Sequence, residues 1–253
     1  MTATKNIQVR REGPVLCIIF DRPEKKNALS RDMYLAAVAA LQQAESDPEI
    51  GAVLFAGSGG VFSAGNDLAD FLAAPEELSE PGAFPAFTFI RALASCTTPL
   101  VAAIEGIAIG IGATLMLHCD LVYATKGTLF KLPFVDLGLV PEAASSLLLP
   151  RRIGMAKASE FLLLGEAFDA DEAFRLGLVN RLVPADQLLE FSLEKAKQLA
   201  AKPHAALSTT RRLLRGDARE ILARIDEEAA LFARALRSEE AAAAFSAFFA
   251  KPR

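Results

Sequence analysis

The sequence is short of the side chains from which metal centres and disulfide frameworks are built. It holds two histidines, His118 and His204, and three cysteines, Cys17, Cys96 and Cys119. The histidines lie far apart, no two cysteines form a CxxC pair, and each cysteine sits in apolar sequence. This argues against a metal site and for buried, reduced thiols in a cytosolic protein. Basic residues are not in excess either: 27 Lys and Arg face 31 Asp and Glu, a net charge of -4. No global positive field exists to hold nucleic acid or an anionic membrane. A local basic pocket for a phosphorylated small molecule stays compatible with that balance. The apolar run Gly106 to Leu117 is too short and too rich in glycine to span a bilayer. The opening MTATKNIQVRREGPV lacks the apolar core of a signal peptide, and the closing AKPR is not a peroxisomal address. The expectation is a cytoplasmic protein with neither nucleic-acid nor membrane partners.

What is present fits a globular chain with a sizeable core. Of 253 residues, 52% are hydrophobic and 23% charged, enough for one large domain or one domain with an appendage. Ile7 to Arg10 and Val15 to Phe20 read as strands around a Gly13-Pro14 turn. The polar loop DRPEKKNALS follows. Ser30 then stands as the cap of a helix whose Met33, Ala37, Val38 and Leu41 recur at helical spacing. Ala52 to Phe55, Leu100 to Ile104 and Leu121 to Ala124 are short apolar runs expected as buried strands. Strands alternating with helical segments predict an α/β core with parallel strands. Beyond about Gly154, long helical stretches dominate, including Ala185 to Ala201 and Ala218 to Leu236. Ile221, Ile225, Phe232 and Leu236 mark one face of the latter.

Three stretches could carry chemistry, and each has a plain structural reading beside it. In VFSAGNDLADF, Val61 to Phe71, glycines and a helix-start pair, Asn66 and Asp67, either make a tight turn or expose backbone N–H groups. In GIAIGIGATL, Gly106 to Leu115, Gly110-Ile111-Gly112 precede the helical run Ala113 to His118. They serve either close packing or a helix N-terminus with unpaired donors. Two such donor sites together could form an oxyanion hole. No ionisable side chain lies between Gly106 and Leu117, so any proton must move elsewhere. In LGLVPEAASS, Leu137 to Ser146, Glu142 either complements a helix dipole or serves as a general base whose pKa is raised by apolar surroundings. His118 reads as a hydrogen-bonded core residue, Asp120 as structural, Asp136 as a cap, and Lys25 and Lys26 as solvated or phosphate-binding.

Taken in order, DRPEKKNALS, FSAGNDL, PLVAAIEGIAIGIGATLMLHCDLVYA, PFVDLGLVPEAASSLLLPRRIG and LGEAFDADEAFRLGLVNRLVP resemble the crotonase, or enoyl-CoA hydratase/isomerase, superfamily along nearly the whole chain. The phrase around Glu142 is similar to that of peroxisomal-type Δ3,Δ2-enoyl-CoA isomerases. The resemblance implies an α/β fold: a ββα spiral core, residues 1–195, and a C-terminal helical trimerisation region, residues 196–253. It implies a homotrimer or a dimer of trimers that binds acyl-CoA and needs no metal or other cofactor, coenzyme A being part of the substrate. Its implied oxyanion donors are the N–H groups of Ala64 and Ile111, the second in place of the usual glycine. The coenzyme A would lie near Lys25, Lys26, Ala28, Ala64, Gly65, Asn66, Asp67, Leu68 and a C-terminal Lys251. Thr114 and Phe134 stand where hydratases carry two glutamates, and would line the acyl pocket instead. The catalytic glutamate of that isomerase branch falls at the match to Glu142, so the resemblance implies Glu142 as the proton carrier for shifting a 3-enoyl double bond to the 2-trans position. Hydration, thioester hydrolysis or non-catalytic acyl-CoA binding are the alternatives.

Overall fold

The computed structural model of the chain describes residues 5–69 and 84–250; Lys251 lies outside them. A six-stranded sheet runs in the order β1-β2-β3-β4-β6-β9, formed by Ile7–Glu12, Val15–Phe20, Ala52–Gly57, Leu100–Ile104, Leu121–Ala124 and Arg181–Leu182. Only β1 and β2 pair antiparallel, with Glu12 opposite Val15 at the Gly13-Pro14 turn; the remaining pairs are parallel. A second, three-stranded sheet joins β5 (Ile107–Ile109), β7 (Leu129–Lys131) and β8 (Phe168–Asp169).

The inner strands are apolar throughout because the large sheet is covered on both faces. Alternate residues therefore enter two different cores. Leu16, Ile18 and Phe20 join Val53, Phe55, Leu100, Ala102 and Ile104 in the larger one. Val15, Cys17 and Ile19 join Leu54, Val101 and Ala103 in the smaller, which the helix Leu188–Ala200 covers through Leu188 and Ala196. The larger core is closed by the helices Arg31–Ser46, Pro85–Ser95 and Ala218–Ala235. Met33, Ala37, Val38 and Leu41 are buried, as their spacing predicts. So are Ile221, Ile225 and Phe232, while Leu236 packs half-buried against them. Ala241 and Phe245 of the last helix, Glu239–Ala250, reach the same core. The C-terminal helices thus share the core of the sheet.

Two local expectations change. Ser30 occupies the helix N-cap with extended backbone, but its hydroxyl makes no capping bond. Within GIAIGIGATL, Ile107–Ile109 is a strand, and the helix starts at Ile111. It lasts four residues, to Thr114, and tightens into a 3-10 turn over Leu115–His118. Alternating isoleucines between glycines serve a short strand as well as a turn, so spacing alone did not separate them. No helix among the described residues is long and apolar enough to cross a membrane.

Candidate active site

Two glycine turns meet beside β5. Ser63 N–H donates to Ile107 O and Ile109 N–H donates to Ser63 O, each at 3.0 Å, which locks the Val61–Leu68 segment to the strand. Gly65 has φ 93°, and a Cβ there would stand 2.7 Å from Ile109 O. On the other side, a Cβ on Gly112 would stand 2.8 Å from Ser63 O. Only glycine permits both approaches. They press Ser63 and Gly65 against Ile109, Gly110 and Gly112, where the strand gives way to the helix Ile111–Thr114.

The donors at this junction differ from those expected. Ala64 N–H is occupied: it donates to Lys26 O at 2.9 Å, part of the bridge that ties the DRPEKKNALS loop to this turn. It is not free for a substrate oxygen, which corrects the assignment of Ala64. Asn66 N–H, on the far side of Gly65, finds no acceptor among the described residues. Ile111 N–H, the first of its helix, also has none, as the opening turn of any helix requires. The available pair is Asn66 and Ile111.

Glu142 lies behind Asn66 at 1% exposure, and its Oε1 has no hydrogen-bond partner. The Asn66 side chain beside it favours the ionised carboxylate. Tyr34 hydroxyl donates to Asn66 Oδ1, leaving the amide N–H₂ to face Glu142. Burial, and then the charge of Glu228, push the Glu142 carboxyl up to about 8, against the pull of Asn66. The turn after Glu142 is unusual. Ala143 and Ala144 both adopt left-handed backbone, φ 62° and 53°, which alanine rarely does. His118, buried and held neutral with its pKa lowered to about 4, donates from Nε2 to Ala143 O at 2.9 Å. Desolvation is the main cause of that shift. Thus His118 is a hydrogen-bonded core residue, and the residue it bonds adjoins Glu142.

A cleft of about 1040 Å³ gathers Lys25, Lys26, Ala28, Ala64, Gly65, Asn66, Asp67, Leu68 and Phe134 along its walls. Phe245, Phe248 and Phe249 of the last helix close one side. Thr114 is fully buried, with its hydroxyl unpartnered, and does not reach this surface. Asp67 is paired with Arg22 at 2.6 Å, and Asp136 with Lys131 at 2.9 Å. Asp120 is structural, accepting from Leu100 N–H and from Arg211 and Arg215. Burial pushes all three thiols up, to about 11 at Cys17 and about 12 at Cys96 and Cys119, so none is a ready nucleophile. No cluster among the described residues could hold a metal ion.

Sequence reasoning missed Tyr34 and Glu228. Glu228 had a signal: it falls between Ile225 and Phe232 on the apolar stripe of its helix, where a carboxylate is out of place.

Comparison with known proteins agrees with this architecture. Enoyl-CoA delta isomerase 2 of Rattus norvegicus is 36% identical over 228 residues, 89% of this chain and 58% of that protein. The chain therefore spans little more than half the length of that relative. A 4-chlorobenzoyl coenzyme A dehalogenase of Arthrobacter is 37% identical over 202 residues, covering 78% of this chain and 73% of that one. The crystal structure of an enoyl-CoA hydratase/isomerase from Pseudoalteromonas atlantica superposes with a TM-score of 0.91 at 42% identity, covering 98% of each chain. The family model for enoyl-CoA hydratase/isomerase matches residues 10–252. With its sheet, its paired glycine turns and its sequence all in agreement, the chain belongs to the enoyl-CoA hydratase/isomerase, or crotonase, family.

Proposed function

We propose that the chain is an enoyl-CoA isomerase, converting a 3-enoyl-CoA to the 2-trans-enoyl-CoA. The observation that carries this reading is Glu142: a buried carboxylate with one free oxygen, next to the donor turn, and with a pKa near 8. Ionised Glu142 takes a proton from C2. The electron pair left behind moves into the thioester carbonyl, and the oxyanion is held by the N–H groups of Asn66 and Ile111. The protonated Glu142 then returns its proton to C4, and the double bond comes to rest between C2 and C3. One group serves as base and acid, and a pKa close to neutrality suits both steps. Hydration needs further groups to handle water. Thr114 and Phe134, at the positions where the resemblance implies glutamates, carry no carboxylate. The rat relative's name supports the same choice.

Lys25 and Lys26, on the cleft wall, are the proposed contacts for the phosphates of coenzyme A. A homotrimer or a dimer of trimers accounts for the apolar side chains that one chain leaves in solvent, such as Leu213 and Leu214 at 70% and 83% exposure. Light scattering checks it, and a monomer at micromolar concentration would count against it.

The reaction is tested with 3-enoyl- and 2-enoyl-CoA thioesters of several lengths in heavy water, followed by mass spectrometry. The expected result is double-bond migration with deuterium incorporation, without addition of water and without release of coenzyme A. Hydrated product, free coenzyme A, or binding with no exchange at C2 would each displace this reading in favour of another.

A further inference from the structure

We infer that Glu228 is a positioning residue for this site: its carboxylate holds the left-handed Ala143-Ala144 turn that places Glu142 behind Asn66. The inference rests on the reading of Glu142 as proton carrier.

Glu228 comes from the helix Ala218–Ala235 and is 4% exposed. Its two oxygens collect three hydrogen bonds, all from the stretch that follows Glu142. Ala144 N–H donates to Oε2 at 2.6 Å, and Ser146 N–H donates to Oε1 at 3.1 Å. Ser146 hydroxyl donates to Oε1 at 2.5 Å. Ser146 Oγ in turn accepts from Arg224 at 3.1 Å. The helix Ser145–Ile153 therefore begins without a cap of its own. Its N-cap residue, Ala144, has no side chain able to cap, and the anion that meets the opening N–H groups arrives from a helix 84 residues away.

A helix start alone is served by a local serine or aspartate. A remote buried carboxylate is a costly substitute unless something else needs it there. Here the two alanines whose backbone is least at ease lie between Glu142 and the Glu228 contacts. Glu228 fixes the turn from one side, His118 from the other through Ala143 O, and Asn66 receives the carboxylate that the turn presents. Its charge has a second consequence. Burial raises the Glu228 carboxyl, opposed by its Ser146 and Ala144 donors and by Arg224, and the negative charge of ionised Glu228 disfavours ionisation of Glu142. The titratable groups around the pair are Tyr34 through Asn66, His118 through Ala143 O, and Arg224, which is also paired with Glu227 at 3.1 Å.

The test uses the full chain carrying Glu228→Gln, with two readouts. Carbon-13 labelling of glutamate carboxyls, assigned by difference against Glu142→Gln, follows the titration of Glu142 with no substrate present. Steady-state kinetics follow 3-enoyl-CoA turnover. The expected results are a Glu142 midpoint lower by on the order of one pH unit, and a kcat reduced by roughly 10- to 100-fold with KM within about twofold. A folded Glu228→Gln that leaves either the midpoint or kcat at the wild-type value overturns the inference. Should that variant not fold, Glu228→Asp and Ser146→Ala carry the same readouts, with smaller losses in the same direction. If the wild-type chain turns over no 3-enoyl-CoA, the isomerase reading falls, and the Glu142 midpoint alone decides the role of Glu228.

Discussion

Backbone groups make one wall of the candidate site, and a buried carboxylate, Glu142, stands behind the other. Val61–Leu68 and Gly106–Thr114 present N–H groups fixed by strand bridges and by glycines pressed against facing carbonyls. Leu139–Ser146 presents Glu142 on a turn of left-handed alanines, held by side chains from elsewhere in the chain. The first wall is made by geometry that any side chain beyond hydrogen would disturb. The second depends on charge, burial and a few long-range hydrogen bonds. On the proposed reading the site separates its tasks: oxygen binding would be built into the fold, while proton transfer would be added on a loop and tuned by its neighbours.

The sharpest way to break the comparison is to silence the second wall alone. Glu142→Gln keeps the shape and can still bond to Asn66, but it accepts no proton. Turnover of 3-enoyl-CoA should fall by on the order of 10³–10⁴-fold, and thioester binding should stay within a few-fold. Exchange of the C2 hydrogen with solvent should disappear with turnover, because one group performs both. A variant that remained active would make the carboxylate a helix-dipole partner only and turn attention to Asp136.

Next in size is the first wall. Ile111→Pro removes one N–H at a helix position where proline is well tolerated. Loss of that donor should reduce kcat by roughly 10²–10³-fold. Circular dichroism must first show the fold intact. A folded variant with near-normal kcat would place the oxygen-binding donor elsewhere.

The two walls were not equally legible in the sequence. Glycine spacing marked both donor turns, since Gly65 and Gly112 are required by contacts that leave no room for a side chain. Which N–H was free could not be read. Ala64 is denied the role by a bond to Lys26 O from a separate loop, and that bridge leaves no trace in local composition. Glu142 could be singled out because a carboxylate stands among apolar and small residues. Its partners could not, because Tyr34, His118 and Glu228 approach from three other segments. The parallel strands, the buried faces of the helices and the α/β class followed from hydrophobic periodicity. The short strands β5, β7, β8 and β9, of two or three residues, are too brief to show a period.

A smaller effect is expected where the walls touch. Asn66 contributes its backbone N–H to one wall and its amide side chain to the other. Asn66→Ala keeps the first and removes the second. Glu142 then loses the side chain that favours its ionised form, so its midpoint should rise above about 8. At pH 7.5 kcat should fall by about tenfold, with part of the loss recovered at higher pH. A flat ratio of variant to wild-type kcat across pH would mean that the amide does not act on Glu142.

The smallest effect concerns stability and sharpens the view that the second wall is maintained against its own folding interest. The Glu142 carboxyl is raised in the folded chain from its ordinary 4.5 to about 8, chiefly by burial. Between those limits the folded chain keeps a proton that the unfolded chain gives up. The free energy of unfolding therefore falls as pH rises through this range. The contribution is fully present below about pH 4.5 and is lost as pH passes about 8. Glu142→Gln is neutral at every pH and escapes that loss. Glu228, also raised by burial, is present in both chains and largely cancels in the difference. The two proteins should melt together near pH 4.5, and by pH 9 the variant should melt higher by on the order of 10 °C. The chain has no tryptophan, so far-UV circular dichroism is the suitable probe. A melting difference that is the same at both pH values would show that Glu142 ionises freely in the folded chain. The pKa match behind the proposed proton shuttle would then be lost, and with it the reason for burying this carboxylate behind Asn66.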